Sequence, residues 1–130
     1  MSRVVLDTNV YISAYGFGGK PADVMRAAIA GKFELVTSPA ILVELADKLE
    51  TVLDFDREHT EEVVRQIARV ATAVRPERRL AVVADDADNR ILEAAAEAGA
   101  EFIVSGDPHL LELGTWEGVR VMRVAEFLGR

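Results

Sequence analysis

Apolar residues along this chain fall into short runs that alternate with longer stripes at helical spacing. The β-branched run Arg3-Val4-Val5-Leu6 stops at Asp7 and predicts a buried strand. Residues 33–37 predict a second strand, 80–83 a third, 101–105 a fourth and 119–122 a fifth. Pro21 opens a helix that Gly31 ends. Ser38 before Pro39 has the form of an N-cap, and Ile41, Leu42, Leu45, Leu49 and Val52 make one apolar stripe behind it. Val63, Val64, Ile67, Val70, Ala71 and Val74 predict a further helix over 60–74, stopped by Pro76. Asp85 or Asp86 caps a helix carrying Ile91, Leu92 and Ala95, which Gly99 terminates. Asp107-Pro108 opens a short helix, and a last turn spans 125–128. Strands alternating with helices predict an α/β domain with a parallel sheet between helical layers. The chain has no repeat, linker or low-complexity tract, so 1–130 reads as one domain.

Composition narrows the chemistry. There is no cysteine, which removes disulfide frameworks, thiolate zinc sites and thiol nucleophiles, and fits a reducing cytoplasm. With only two histidines, His59 and His109, any metal is held mostly by oxygen, which favours Mg²⁺ or Mn²⁺. The chain has 15 basic and 22 acidic residues, a net charge of −7. Taken whole, it repels nucleic acid, so binding one requires a cation among the carboxylates, a local basic strip, or both. No apolar stretch reaches the length of a membrane span, and Met1-Ser2-Arg3 runs into the first strand without signal-peptide character.

Open parallel sheets carry their chemistry beyond the carboxyl ends of the strands. Asp7 follows the first strand directly, Asp85, Asp86 and Asp88 follow the third, and Asp107 follows the fourth. Glu44 borders the apolar stripe after strand two, and Asp88 shares a helix face with Ile91 and Leu92. Each has an ordinary structural role open to it. Asp107 before Pro108 suits a cap, Asp85 and Asp86 suit cap and dipole positions, and Glu44 suits a flank whose head reaches water. Asp7 does not read as a cap, because the chain continues Asp7-Thr8-Asn9-Val10-Tyr11. Four carboxylates at one sheet edge repel one another by several kcal/mol without a cation. Together they point to an all-oxygen site for Mg²⁺ or Mn²⁺.

The segments bearing these acids resemble the motifs of PIN-domain nucleases. They are Val5-Leu6-Asp7-Thr8-Asn9-Val10, Ser38-Pro39-Ala40-Ile41-Leu42-Val43-Glu44-Leu45, Asp88-Asn89-Arg90-Ile91-Leu92 and Ile103-Val104-Ser105-Gly106-Asp107-Pro108. The ending, Val119 to Met122 and then Glu126-Phe127-Leu128, is also similar. The likeness spans nearly the whole chain and is greatest to the bacterial and archaeal VapC-like branch, the toxin components of toxin–antitoxin systems. It implies a three-layer α/β/α fold with a five-stranded parallel sheet ordered 3-2-1-4-5. It implies a metal and catalytic set of Asp7, Glu44, Asp88 and Asp107, with Asn9 and Ser105 as polar helpers. One departure stands out. Close relatives often read Asp-Pro-Asp-Asp before the Asn, where this chain reads Asp85-Asp86-Ala87-Asp88.

The activity implied is Mg²⁺- or Mn²⁺-dependent hydrolysis of single-stranded RNA leaving a 5′-phosphate, with a cognate antitoxin and a homodimer as partners. Spacing alone does not separate RNA from DNA. Lys20 and Arg90 are the expected substrate contacts. Arg65, Arg69, Arg75, Arg78 and Arg79 form a basic strip whose helical members read better as a self-paired, solvated face. His109 reads as an exposed helix-start residue. Tyr11, Tyr15, Phe17 and Leu53 are candidates for an apolar partner surface or for completing the core. A response-regulator receiver needs a lysine after the last strand, and this chain has lysines only at 20, 32 and 48. A haloacid-dehalogenase-type phosphatase needs an aspartate where this chain has Asn9. The remaining alternative is a PIN-like binding or scaffold module without catalysis.

Overall fold

Val4, Val5 and Leu6 have no exposed surface. Successive strand residues point to opposite faces, so both faces of the sheet are covered here. The computed structural model describes residues 1–130 and places this strand, β1 (Arg3–Leu6), at the centre of the molecule. It is followed by α1 (Thr8–Gly16), α2 (Gly19–Ile29), β2 (Glu34–Thr37), α3 (Pro39–Thr51), α4 (Arg57–Val70) and β3 (Thr72–Ala73). The second half runs α5 (Asp86–Ala98), β4 (Phe102–Val104), α6 (Pro108–Leu111), β5 (Thr115–Trp116), β6 (Val119–Met122) and α7 (Val124–Gly129). The sheet order is β3-β2-β1-β4-β6-β5. All neighbours are parallel except β5 and β6. A cluster of 31 buried residues joins the strands to the inner sides of the helices. No helix is long and apolar enough to cross a membrane.

The α/β class and four of the expected strands agree with the sequence, and three features correct it. First, 80–83 is not a strand. Its backbone groups are taken by side chains of α5: Leu80 N donates to Glu93 Oε2 at 2.7 Å, and Val82 N and Val83 N both donate to Asn89 Oδ1. Asn89 Nδ2 returns a bond to Val83 O, and Arg90 donates to Leu80 O. The segment is a strap along α5, and the third strand in space is the two-residue β3, within the stretch expected to be helical. Second, the sheet has six strands. Glu117 and Gly118, both at positive φ, form a two-residue turn that folds β5 back antiparallel onto β6. Third, residues 8–16 are helical and Asp7 occupies the N-cap position of α1. Its side chain makes no capping bond and remains free for other partners.

Tyr11 has no exposed surface and belongs to the interior, while Tyr15 and Leu53 are half-buried and pack against the core. Phe17 differs, at 81% exposed.

Candidate metal and phosphodiester site

Strand register builds the centre of the site. Leu6 pairs with Val104, and Asp7 N bonds Val104 O at 3.0 Å, so Asp7 and Ser105 emerge side by side from adjacent strands. Ser105 Oγ donates to Asp7 Oδ2 at 2.7 Å and accepts from Asp107 N at 2.9 Å. One buried hydroxyl therefore ties the acid of β1 to the backbone of the acid after β4. Asp107 also caps α6, its Oδ1 accepting from His109 N. Capping and site placement thus coexist in one residue, and His109 is exposed at the helix start as expected.

Asp88 enters from α5, whose Ile91 and Leu92 lock that face into the core. It is 4% exposed, and its Oδ2 is buried without a hydrogen-bond partner. Burial first, then the charges of Asp107, Asp7 and Asp85, push its carboxyl up to about 7. Asp7 is also raised, chiefly by burial, against the lowering pull of the Ser105 hydroxyl and the Lys48 ammonium. Asp85 is the α5 cap, accepting from Ala87 N, and Asp86 is exposed.

Glu44 joins this group through Thr8. Thr8 Oγ1 donates to Glu44 Oε1 at 2.9 Å and lies 3.4 Å from Asp7 Oδ1. Lys48, one turn along α3, pairs with Glu44 at 3.0 Å and donates to Asn9 Oδ1 at 3.2 Å. Asn9 is exposed; its side chain reaches the acids through that ammonium, while its backbone N–H helps hold the Asp7 carboxylate. Thr8 and Lys48 are members of the site that sequence reasoning missed. The signal for Lys48 was its four-residue spacing from Glu44. Lys20 makes no polar contact with any of the four acids, and Arg90 is turned toward Glu93 and the strap.

As the side chains stand, no group of three or more acids or histidines is arranged around a metal position. The donors nevertheless fit a hard cation in kind. They are all oxygen, the charges of Asp7 and Asp107 add to the cost of ionising Asp88, and the buried Asp88 Oδ2 has no hydrogen-bond partner.

The family model of the PIN domain matches residues 3–109. The chain belongs to the PIN-domain family. That span contains all four acids and most of the sheet. Among solved structures, the fold is similar to that of VapBC2 from Rickettsia felis bound to a DNA fragment from their promoter, with a TM-score of 0.65 and 11% sequence identity. The match covers 93% of this chain and 98% of that one. At that identity it establishes the shared fold. No curated protein matches the chain.

Proposed function

We propose that this PIN domain is an Mg²⁺- or Mn²⁺-dependent endoribonuclease that hydrolyses phosphodiester bonds of single-stranded RNA, acting in the cytoplasm as the toxin of a toxin–antitoxin pair. The observation that carries the reading is Asp88: a buried carboxylate with an unpartnered oxygen, facing Asp7 and Asp107 at the carboxyl end of the sheet. Asp7, Asp88 and Asp107 would hold the ion, with Glu44 either adding an oxygen or orienting the attacking water. A divalent ion held there would supply an activated water and offset the charge that develops on the phosphate oxygens. Ser105 fixes the rotamer of Asp7, and Thr8 and Lys48 fix Glu44. Support for an antitoxin comes from the fold shared with the VapBC2 complex and from a cluster of acids whose charge suits a basic segment. A homodimer is part of the same proposal, with Phe17 as an exposed apolar candidate for its surface.

Cleavage of end-labelled single-stranded RNA, with single-stranded DNA in parallel, tests this. RNA cut in Mg²⁺ or Mn²⁺ but not in EDTA is the expected result. Light scattering during size-exclusion chromatography is expected to give twice the chain mass; a single-chain mass across the concentration range rejects the dimer. The second reading, a binding module without catalysis, rests on the unconverged acids and on Lys48 already neutralising Glu44. Calorimetric titration with Mn²⁺ separates the two, since such a module gives no heat of ion binding.

A further inference from the structure

Next to the acids, on the same edge of the sheet, lies a cleft of opposite charge. β2 ends at Thr37 and β3 at Ala73, and Val74 N bonds Thr37 O, so Ser38 and Arg75 start together beyond these strands. Between them is a cleft of about 240 Å³ lined by Arg75, Arg79 and Arg90, with Glu93, Ser38 and Ala40 among its other walls. Glu93 is its one carboxylate, and it is occupied by Arg90 at 2.9 Å and by Leu80 N at 2.7 Å. Arg75 and Arg79 are exposed and have no ion pair or side-chain hydrogen bond, whereas Arg78 between them is held by both oxygens of Glu117. A chain of net charge −7 has thus left two arginines without acidic partners beside a third.

The mouth is also fixed in place. Glu77 N bonds Glu97, and Leu80, Val82 and Val83 are bonded to α5, so the segment presenting Arg75 and Arg79 is clamped to a helix. The same two helices serve both sites. α5 carries Asp88 in one and Arg90 in the other, and α3 carries Glu44 in one and Ala40 in the other. Ala40 is the second residue of α3, where the backbone N–H has no intrahelical acceptor and also faces an anion favourably.

We propose that this cleft binds a non-scissile backbone phosphate of the RNA, anchoring the strand beside the acid cluster through Arg75 and Arg79. The inference rests on the ribonuclease reading. Planar guanidinium forks match phosphate oxygens, and a fixed cationic cleft beside a fixed cluster of acids sets both the position and the direction of the strand. Arg75 and Arg79 are positioning residues for substrate, not part of the hydrolytic set.

The test uses the full chain with both arginines replaced, R75A/R79A, against R57A/R65A, which removes the same charge from α4. Binding of a fluorescein-labelled 12-nucleotide single-stranded RNA is followed by anisotropy in EDTA over a range of salt, and cleavage is followed separately. R75A/R79A is expected to weaken binding about 10-fold and to flatten the log–log salt slope by about 0.7 for one lost phosphate contact. Its KM rises while kcat is retained, and R75K/R79K recovers the slope. Equal weakening in R57A/R65A means only net charge matters and overturns the proposal. Unchanged binding and KM in R75A/R79A overturns it while leaving the nuclease reading intact. An unaltered RNA affinity with lost binding of an acidic peptide assigns the cleft to a protein partner instead. A wild-type chain that neither binds nor cuts RNA overturns both.

Discussion

The acid cluster and the arginine cleft share one sheet edge but are built in opposite ways. The acids are set by strand register and buried helix faces, so Asp7, Asp88 and Ser105 are all at most 4% exposed. Their charge is in excess of what the protein itself balances, and Asp88 is left with a carboxyl raised to about 7. Arg75 and Arg79 are exposed, set by a loop, and cost the fold little. Burial makes the first region exacting in geometry and expensive in its empty state. Exposure makes the second a source of attraction that can be removed without unfolding the chain. Substitutions in the two regions are therefore expected to separate activity from stability in different directions.

The sharpest break is Asp7→Asn. It keeps the shape but removes the central charge, and is expected to lower cleavage about a thousandfold or more, equivalent to about 4 kcal/mol of transition-state stabilisation. Near-normal RNA cleavage in purified mutant protein, with contaminating nuclease controlled, rejects the acid cluster as the catalytic centre. Ser105→Ala comes next. Loss of its bonds to Asp7 and Asp107 is expected to reduce metal affinity or cleavage about 10- to 100-fold, as for other groups that orient metal ligands. Calorimetry with Mn²⁺ and cleavage at saturating ion distinguish the two losses.

Asp88→Asn sharpens the stability side. The folded carboxyl titrates near 7 against about 4 in the unfolded chain. Between those values the folded state holds the extra proton, so stability falls as pH rises and the full cost is present above pH 7. In EDTA the amide variant is expected to exceed wild type by on the order of 2 kcal/mol at pH 8 and to match it near pH 4. Denaturant melts at the two pH values check this, and a pH-independent offset contradicts it. The smallest effect is expected from Asn89→Ala, which frees Val82 N, Val83 N and Val83 O to partly solvated surroundings, at about 1 kcal/mol. Faster hydrogen exchange confined to the strap is the signature; no change there means that packing alone holds it.

The acids and the strands beneath them were legible because burial imposes strong patterns. Val4-Val5-Leu6 and Phe102-Ile103-Val104 have no plausible exterior, and each delivers its acid at a strand end. Helix α1 was not legible. Thr8, Val10, Tyr11 and Ile12 are weak helix formers that are all buried, and tertiary burial overrides their preference. β3 is two exposed residues, too short and too polar to mark itself. The strap misled for the opposite reason. Leu80-Ala81-Val82-Val83 has strand composition, but Asn89 and Glu93 satisfy its backbone before another strand can. Lys48 was signalled only by its four-residue spacing from Glu44, whereas Thr8 enters the site through contacts between α1 and α3 that no local spacing discloses.

Both outer strands of the sheet, β3 and β5, are only two residues long. Long bare edges template pairing between molecules and, in concentrated solution, fibrillar aggregation. Here neither margin offers a ladder for a second chain to extend, and β5 is folded back by its tight turn. The two sheet edges therefore give little purchase for strand pairing with a second copy of the chain.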